Sequence, residues 1–147
     1  MANRETEEAV LVSVHPRYVR AILEGKKRFE FRKVKFQRDV RIIVVYATAP
    51  ISAIVAVIEI ANLHEDTPPN IWKKCASAGA IRADWFFDYF GACDIAVAIE
   101  LARVAPLSQP VPLRDVLPGA TAPRSFRYLS GQSAQWARSA LEAHAIG

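Results

Sequence analysis

The sequence lacks any apolar run of the roughly 20 residues that a helix needs to span a bilayer, although 52% of its 147 residues are hydrophobic. The first eight residues include Glu5, Glu7 and Glu8 and no apolar core, so they do not resemble a secretory signal. These absences favour a cytoplasmic protein without membrane contact. We expect a flexible polar terminus at 1–8 and a single domain over 9–147.

Cysteine and histidine are too few and too scattered to form a recognisable metal motif. Cys75 and Cys93 are predicted to be reduced, structural thiols, because two cysteines in a chain without a secretion signal are weak grounds for a disulfide. His15, His64 and His144 lie far apart, and no C-x-x-C, H-x-H or H-E-x-x-H spacing occurs. The sequence therefore predicts no metal site and no cofactor.

Positive charge is concentrated in one segment. The formal net charge of the chain is only +4. Between Arg17 and Arg41, however, ten lysines and arginines face three acids, which gives this segment +7 and the rest of the chain −3. Such asymmetry favours one anionic partner that binds one face. A solvated basic surface without a partner is the alternative.

Apolar periodicity predicts strands and helices that alternate in one small α+β domain of five or six strands. Strands are predicted at 10–14, 29–32, 41–47, 54–61 and 94–104, with 126–129 as a last strand or loop. Helices are predicted at 16–24, 68–79, 82–90 and 132–145, with at most a short one at 113–117. The segments 65–69 and 106–123, the second of which is rich in proline, are predicted to be loops.

The most specific local pattern is G-x-K-x-x-E-x-R, which runs from Gly25 to Arg32. Gly25 stands where a helix should end, and Lys27 lies in the turn that follows. Strand alternation then puts Glu30 and Arg32 on one face. We expect Glu30 to hold both Lys27 and Arg32 in place. Two fixed cations and one acceptor would suit a ligand that has a phosphate and a hydrogen-bonding base.

This motif and the segments around it resemble the ASCH domain family, whose fold is PUA-like. Residues 11–23 resemble the opening strand and helix of the family, and 46–50 with 54–60 resemble its paired central strands. Residues 123–129 resemble a closing segment of a bacterial branch described as predicted transcriptional regulators. The resemblance implies a small mixed β-barrel flanked by short helices, with a cleft that binds RNA or a nucleotide-like ligand.

The resemblance also leaves enzymatic functions open. One related group is similar to acetylcytidine amidohydrolases, which use a lysine and a threonine within this motif. The present chain keeps the lysine as Lys27 but has Glu30 at the threonine position. Ribonuclease activity is associated with some small members, so Lys27 and Glu30 are the catalytic candidates if the protein is an enzyme. A ligand-sensing regulator with a protein partner is a third alternative.

Further residues are candidates for ligand contacts because of their type and position. They occupy the first strand–helix junction, the basic loop after the motif, the end of a central strand and the closing segment, where basic and aromatic residues interleave as in surfaces that stack unpaired bases. These candidates are His15, Lys33, Lys35, Tyr46, Thr48, Arg124, Phe126 and Tyr128. The aromatic residues at helical spacing between 85 and 90 are instead predicted to pack in the core.

Overall fold

The computed structural model describes residues 9–146, so the terminus predicted at 1–8 lies outside the described residues. Strands and short helices alternate along the chain, as the periodicity predicts. In order, the elements are β1 (Ala9–Val14), α1 (Pro16–Leu23), β2 (Phe29–Arg32), β3 (Ile42–Ala47), β4 (Ala53–Asp66), α2 (Pro68–Gly79), α3 (Ala83–Phe90), β5 (Ala96–Val111), α4 (Leu113–Val116), β6 (Phe126–Leu129) and α5 (Gly131–Ile146).

The strands form one mixed sheet that curls into a half-barrel. Its order is β2-β5-β4-β3-β1-β6, with β1 parallel to β3 and the other neighbours antiparallel. The two ends of this order meet through Arg32 of β2, which donates to the Ser13 carbonyl of β1 and to the Ser125 hydroxyl just before β6. The predicted α+β fold with a small mixed barrel is therefore confirmed.

Alternation along the strands divides the core between the two sides of the sheet. Val12 lies in the inner core, whereas its neighbour Leu11 belongs to a second cluster that α5 covers. A third cluster joins α2 and α3 to the outer side of β2 and β5, where Phe86 meets Phe31 edge to face at 5.1 Å. Glu30 therefore faces the inner side of the curl, because it alternates with Phe31.

Two strands are longer than predicted, so the loops expected at 65–69 and at 106–123 are partly wrong. β4 and β5 pair antiparallel from Ile54↔Val111 to Asp66↔Ala96, and this ladder carries both strands past the predicted ends. Pro106 fits within β5 because it lies beside a register shift, where a missing N–H costs little.

The remaining helical features follow the sequence closely. Thr67 caps α2, whose first residues are prolines, and α4 occupies most of the short helix predicted at 113–117. Cys75 and Cys93 are free thiols. No helix within 9–146 combines the length and the apolar character that crossing a membrane requires.

Candidate functional site

A cavity of about 370 Å³ opens between the end of β1, β2, α1 and α3. The three charged residues of the G-x-K-x-x-E-x-R motif all line it. We call it the motif cavity, and its lining consists of Ser13, Val14, His15, Arg17, Tyr18, Lys27, Glu30, Phe31, Arg32, Ile81, Trp85 and Tyr89. A second depression adjoins it at Arg32 and Tyr89.

The end of α1 positions Lys27. Gly25 has a φ of +78°, which only glycine adopts without strain, and the N–H groups of Lys26 and Lys27 both donate to the Ala21 carbonyl. The chain thereby reverses and turns Lys27 inward, where the residue is only 3% exposed. Its Nζ donates to the Gly79 carbonyl at 2.8 Å, at the end of α2.

Aromatic rings surround the rest of the Lys27 ammonium group. Nζ lies 4.7 Å from the centre of the Phe31 ring and 5.1 Å from that of Tyr18. Burial lowers the pKa of Lys27, the Glu30 carboxylate opposes this shift, and Arg32 adds to it. Lys27 therefore releases its proton more readily than a lysine in water.

Glu30 and Arg32 form an ion pair along the same face of β2. Glu30 Oε2 lies 2.8 Å from Arg32 Nη2, which also donates to the Ser13 carbonyl at 3.0 Å, while Nη1 donates to Ser125 Oγ at 3.2 Å. The two side chains are only 11% and 12% exposed. The structure therefore differs in part from the expectation: Glu30 pairs with Arg32, and the hydrogen bond of Lys27 goes to a backbone carbonyl.

A second depression of about 480 Å³ adjoins the motif cavity and shares Arg32 and Tyr89 with it. We call it the flanking pocket, and its lining consists of Arg32, Lys33, Val34, Tyr89, Arg124, Ser125 and Phe126. Among residues 9–146, Arg32 is thus the one cation that lines both depressions. Lys33 Nζ lies 4.9 Å from the centre of the Tyr89 ring at their boundary.

The structure gathers most of the predicted site residues around these two depressions. Lys27, Glu30 and Arg32 line the motif cavity together with His15, which caps α1 by accepting a hydrogen bond from the Arg17 N–H. The second group, which lines the flanking pocket, consists of Lys33, Arg124 and Phe126.

The other four predicted residues lie elsewhere. Lys35 is exposed and forms an ion pair with Glu65. Tyr46 packs against the cluster under α5, and Thr48 belongs to the turn after β3, where its N–H donates to the Val14 carbonyl. The Tyr128 hydroxyl accepts a hydrogen bond from the Gln37 N–H at 2.7 Å.

Sequence reasoning missed the aromatic wall that α3 gives to the motif cavity. Phe86 and Phe90 are 0% and 1% exposed, as predicted for core residues, but Trp85 and Tyr89 are 42% and 40% exposed and line the cavity. The prediction that all four are core is therefore wrong for two of them. The sequence did contain a signal for this wall. The aromatic residues of α3 form two adjacent stripes, and a helix that buries a single face needs only one.

Comparison with known proteins agrees with this fold. The model of the ASCH domain matches residues 12–108, which is more than half of the chain. An ASCH domain-containing ribonuclease of Zymomonas mobilis is 24% identical over 135 residues, which cover 89% of this chain and 90% of the relative.

Solved structures show the same architecture. The crystal structure of ASCH from Zymomonas mobilis has a TM-score of 0.81 at 22% identity and covers 90% of this chain and 94% of its own. The N-terminal domain of Staphylothermus marinus McrB has a TM-score of 0.58 at 13% identity and covers 91% of this chain and 94% of its own. At these identities the structures show a shared fold. The match of the family model over 12–108 establishes that the chain belongs to the ASCH domain family.

Proposed function

We propose that the protein binds RNA and holds one nucleotide in the motif cavity. The observation that carries the proposal is the meeting of a buried lysine, a fixed arginine and a carboxylate beneath two exposed aromatic rings. The volume of about 370 Å³ lies within the range of about 300 to 1,000 Å³ that small-molecule sites occupy. A nucleotide offers partners for each of these groups.

Each group has a distinct chemical use toward a nucleotide. Arg32 is held by Glu30 and the Ser13 carbonyl, and its buried Nε has no hydrogen-bond partner among the described residues. A guanidinium that is already ordered binds phosphate or a base edge at a low entropic cost. The remaining oxygen positions of Glu30 can accept hydrogen bonds from the amino group of a base.

The rim of the motif cavity places cations beside stacking surfaces. The Arg17 guanidinium lies 4.2 Å from the centre of the Trp85 ring, and Lys33 accompanies Tyr89 in the same way. Base–aromatic stacking combined with nearby positive charge is the usual means by which proteins bind unpaired nucleotides. A relative is named a ribonuclease, which also favours RNA as the ligand.

Binding of a labelled single-stranded RNA, measured by fluorescence polarisation at two salt concentrations, tests the proposal. Lys27→Ala/Arg32→Ala should weaken binding at least tenfold, because charge-assisted contacts to the ligand are lost. Lys26→Ala/Arg41→Ala is the matched control: it removes the same charge from side chains that are 73% and 71% exposed, and it should bind much more like the wild type.

Two further results would decide the matter. Trp85→Ala alters only an exposed ring and should also weaken binding, so the test stays informative if the double variant fails to fold. Wild-type protein without measurable affinity at low salt would contradict the proposal, since phosphate contacts are strongest there.

RNA cleavage is a second candidate function, favoured by the relative named a ribonuclease and by the lowered pKa of the buried Lys27. In this scheme the neutral Lys27 amine takes the proton of a ribose 2′-hydroxyl, and the 2′-oxygen forms a bond to the adjacent phosphorus. The bond from phosphorus to the 5′-oxygen breaks, that oxygen takes a proton from water, and the hydroxide so formed takes the proton that Lys27 holds, which restores the neutral amine. Arg32 stabilises the charge on the phosphorane, and the products are a 2′,3′-cyclic phosphate and a free 5′-hydroxyl.

A denaturing gel of the same RNA separates the two candidates. Cleavage that is lost in Lys27→Met but kept in Lys26→Met, with a cyclic phosphate at the new 3′ end, would establish this scheme. Intact RNA under conditions of saturated binding would identify a binding module. Cleavage that persists in Lys27→Met would contradict the role of Lys27.

A further inference from the structure

We infer that the RNA ligand is single-stranded, with one unpaired base in the motif cavity and the adjacent phosphate in the flanking pocket. This inference rests on the proposed function and deepens it, since it names the substrate class. It separates a ligand that carries a phosphate from a free nucleoside.

The two depressions adjoin at Arg32, which lines both. Nη2 of its guanidinium contacts Glu30 on the side of the motif cavity, and Nη1 contacts Ser125 on the side of the flanking pocket. Tyr89 lines both depressions as well. A ligand that fills the motif cavity therefore has a direct route to the flanking pocket past one fixed cation.

The flanking pocket has the chemistry of a phosphate site. Its lining includes Arg32, Lys33 and Arg124, and no acid among residues 9–146 belongs to it. Only Arg32 has a carboxylate partner, because neither Lys33 nor Arg124 forms an ion pair with a described residue. Two uncompensated cations next to a fixed guanidinium favour a phosphate group over an uncharged base.

The motif cavity has the complementary chemistry of a base site. It contains an acceptor in Glu30 and aromatic surfaces in Trp85 and Tyr89, and its lysine is already bound to the Gly79 carbonyl. This division assigns the base to the motif cavity and the phosphate to the flanking pocket. A free nucleoside would leave Lys33 and Arg124 without an anionic partner in the part of the chain that the structure describes.

The concave shape of the motif cavity selects unpaired RNA. A base inside a duplex is stacked and paired, so it must leave the helix before it can enter a cavity, and this costs energy that a single strand does not require. Trp85 and Tyr89 offer stacking surfaces that replace those of neighbouring bases.

Calorimetric titration of the full chain with nucleosides and with the matching dinucleoside monophosphates tests the inference. The wild type should bind ApA or UpU at least about tenfold more tightly than adenosine or uridine, because the second ligand adds a charge-assisted phosphate contact. In Lys33→Ala/Arg124→Ala this ratio should fall toward one. Both side chains are exposed, so the fold should tolerate the changes.

Arg127→Ala is the matched control for the loss of Arg124. Arg127 is an exposed arginine of β6 that lines neither depression, so the ratio should keep its wild-type value. A wild-type ratio near one, or an unchanged ratio in Lys33→Ala/Arg124→Ala, would overturn the inference and leave nucleotide binding in the motif cavity intact. Equal affinity for duplex and single-stranded RNA would also overturn it. Absence of any RNA or nucleoside binding would refute the proposed function itself.

Discussion

Two hydrogen-bonded pairs of titratable side chains in this protein share one separation but have different surroundings. The inner pair is Glu30 with Arg32, and the outer pair is His64 of β4 with Glu100 of β5; in each the nitrogen lies 2.8 Å from the oxygen. Side chains of the inner pair are 11% and 12% exposed, whereas those of the outer pair are 32% and 35% exposed. Distance alone therefore does not tell which pair matters to the molecule.

Burial and further contacts decide the role of a charged pair. A buried ion pair adds little net stability, because desolvation of the two charges offsets their attraction. Arg32 is nevertheless buried and held by two more acceptors, Ser13 and Ser125. Such an arrangement is understandable if the guanidinium must be presented to a ligand in a fixed position. The outer pair is open to water and needs no such explanation.

Glu30→Gln should give the largest change in stability. It leaves Arg32 buried without a counter-charge, which costs about 3 kcal/mol of unfolding free energy in comparable buried pairs. Urea unfolding followed by circular dichroism measures this value. Glu100→Gln is the matched control, because it makes the same chemical change in the outer pair. Equal losses in the two variants would show that burial does not distinguish the pairs.

Gly79→Ala should give the next largest loss of unfolding free energy. Gly79 lies beside Phe31, close to the inner pair. A Cβ on Gly79 would lie 2.8 Å from Cζ of the Phe31 ring, so α2 or the ring must shift. Overpacking of this kind costs about 1 to 3 kcal/mol. RNA affinity should fall too, because the Gly79 carbonyl holds Lys27.

Ser77→Ala, at an exposed position of α2, is the control for the Gly79 variant and should leave both unfolding and RNA affinity near the wild-type values. If Gly79→Ala lowers stability without changing RNA affinity, the carbonyl does not position Lys27.

The titration of Lys27 should make the free energy of unfolding depend on pH in the alkaline range. Burial lowers the pKa of Lys27 below its usual 10.5 in the folded state. Between the lowered pKa and 10.5, the unfolded chain binds more protons than the folded one, so stability rises with pH in this window. Urea unfolding of the wild type and of Lys27→Met from pH 7 to 10.5 should show the wild type gaining relative to the variant. A constant difference would mean that Lys27 keeps its ordinary proton affinity.

The sequence predicted what depends on neighbours along the chain. The helix end at Gly25, the turn that contains Lys27 and the shared face of Glu30 and Arg32 all follow from local periodicity and turn chemistry, and the structure has them. The curled fold followed from the resemblance rather than from periodicity, because alternation says which face is buried but not how strands are ordered.

Contacts between distant parts of the chain could not be predicted. The acceptor of Lys27 is Gly79, 52 residues away, and Ser125 meets Arg32 across 93 residues. A sequence pattern does not show which backbone carbonyl will accept a hydrogen bond. The prediction that Glu30 holds Lys27 therefore missed the Gly79 carbonyl, to which Lys27 donates. Trp85 was assigned to the core for a similar reason: a hydrophobic stripe does not state whether it faces a neighbour or a cavity.

Substitution in the outer pair should give the smallest change in unfolding free energy. The dependence of this change on pH and salt tests most directly whether burial distinguishes the two pairs. The hydrogen bond from His64 lowers the pKa of Glu100 below its usual 4.5. The contribution of the ionised carboxylate is therefore present above pH 4.5 and is lost as the pH falls through the lowered folded-state pKa.

Because the pair is open to water, Glu100→Gln should cost less than about 1 kcal/mol at neutral pH. Salt should shrink this cost further, whereas the loss in Glu30→Gln should change little, since a buried pair is poorly screened. Urea unfolding of both variants at low and high salt measures the contrast. A cost for Glu100→Gln that resists salt would place the outer pair in the same class as the inner one and remove the argument that burial sets Arg32 apart.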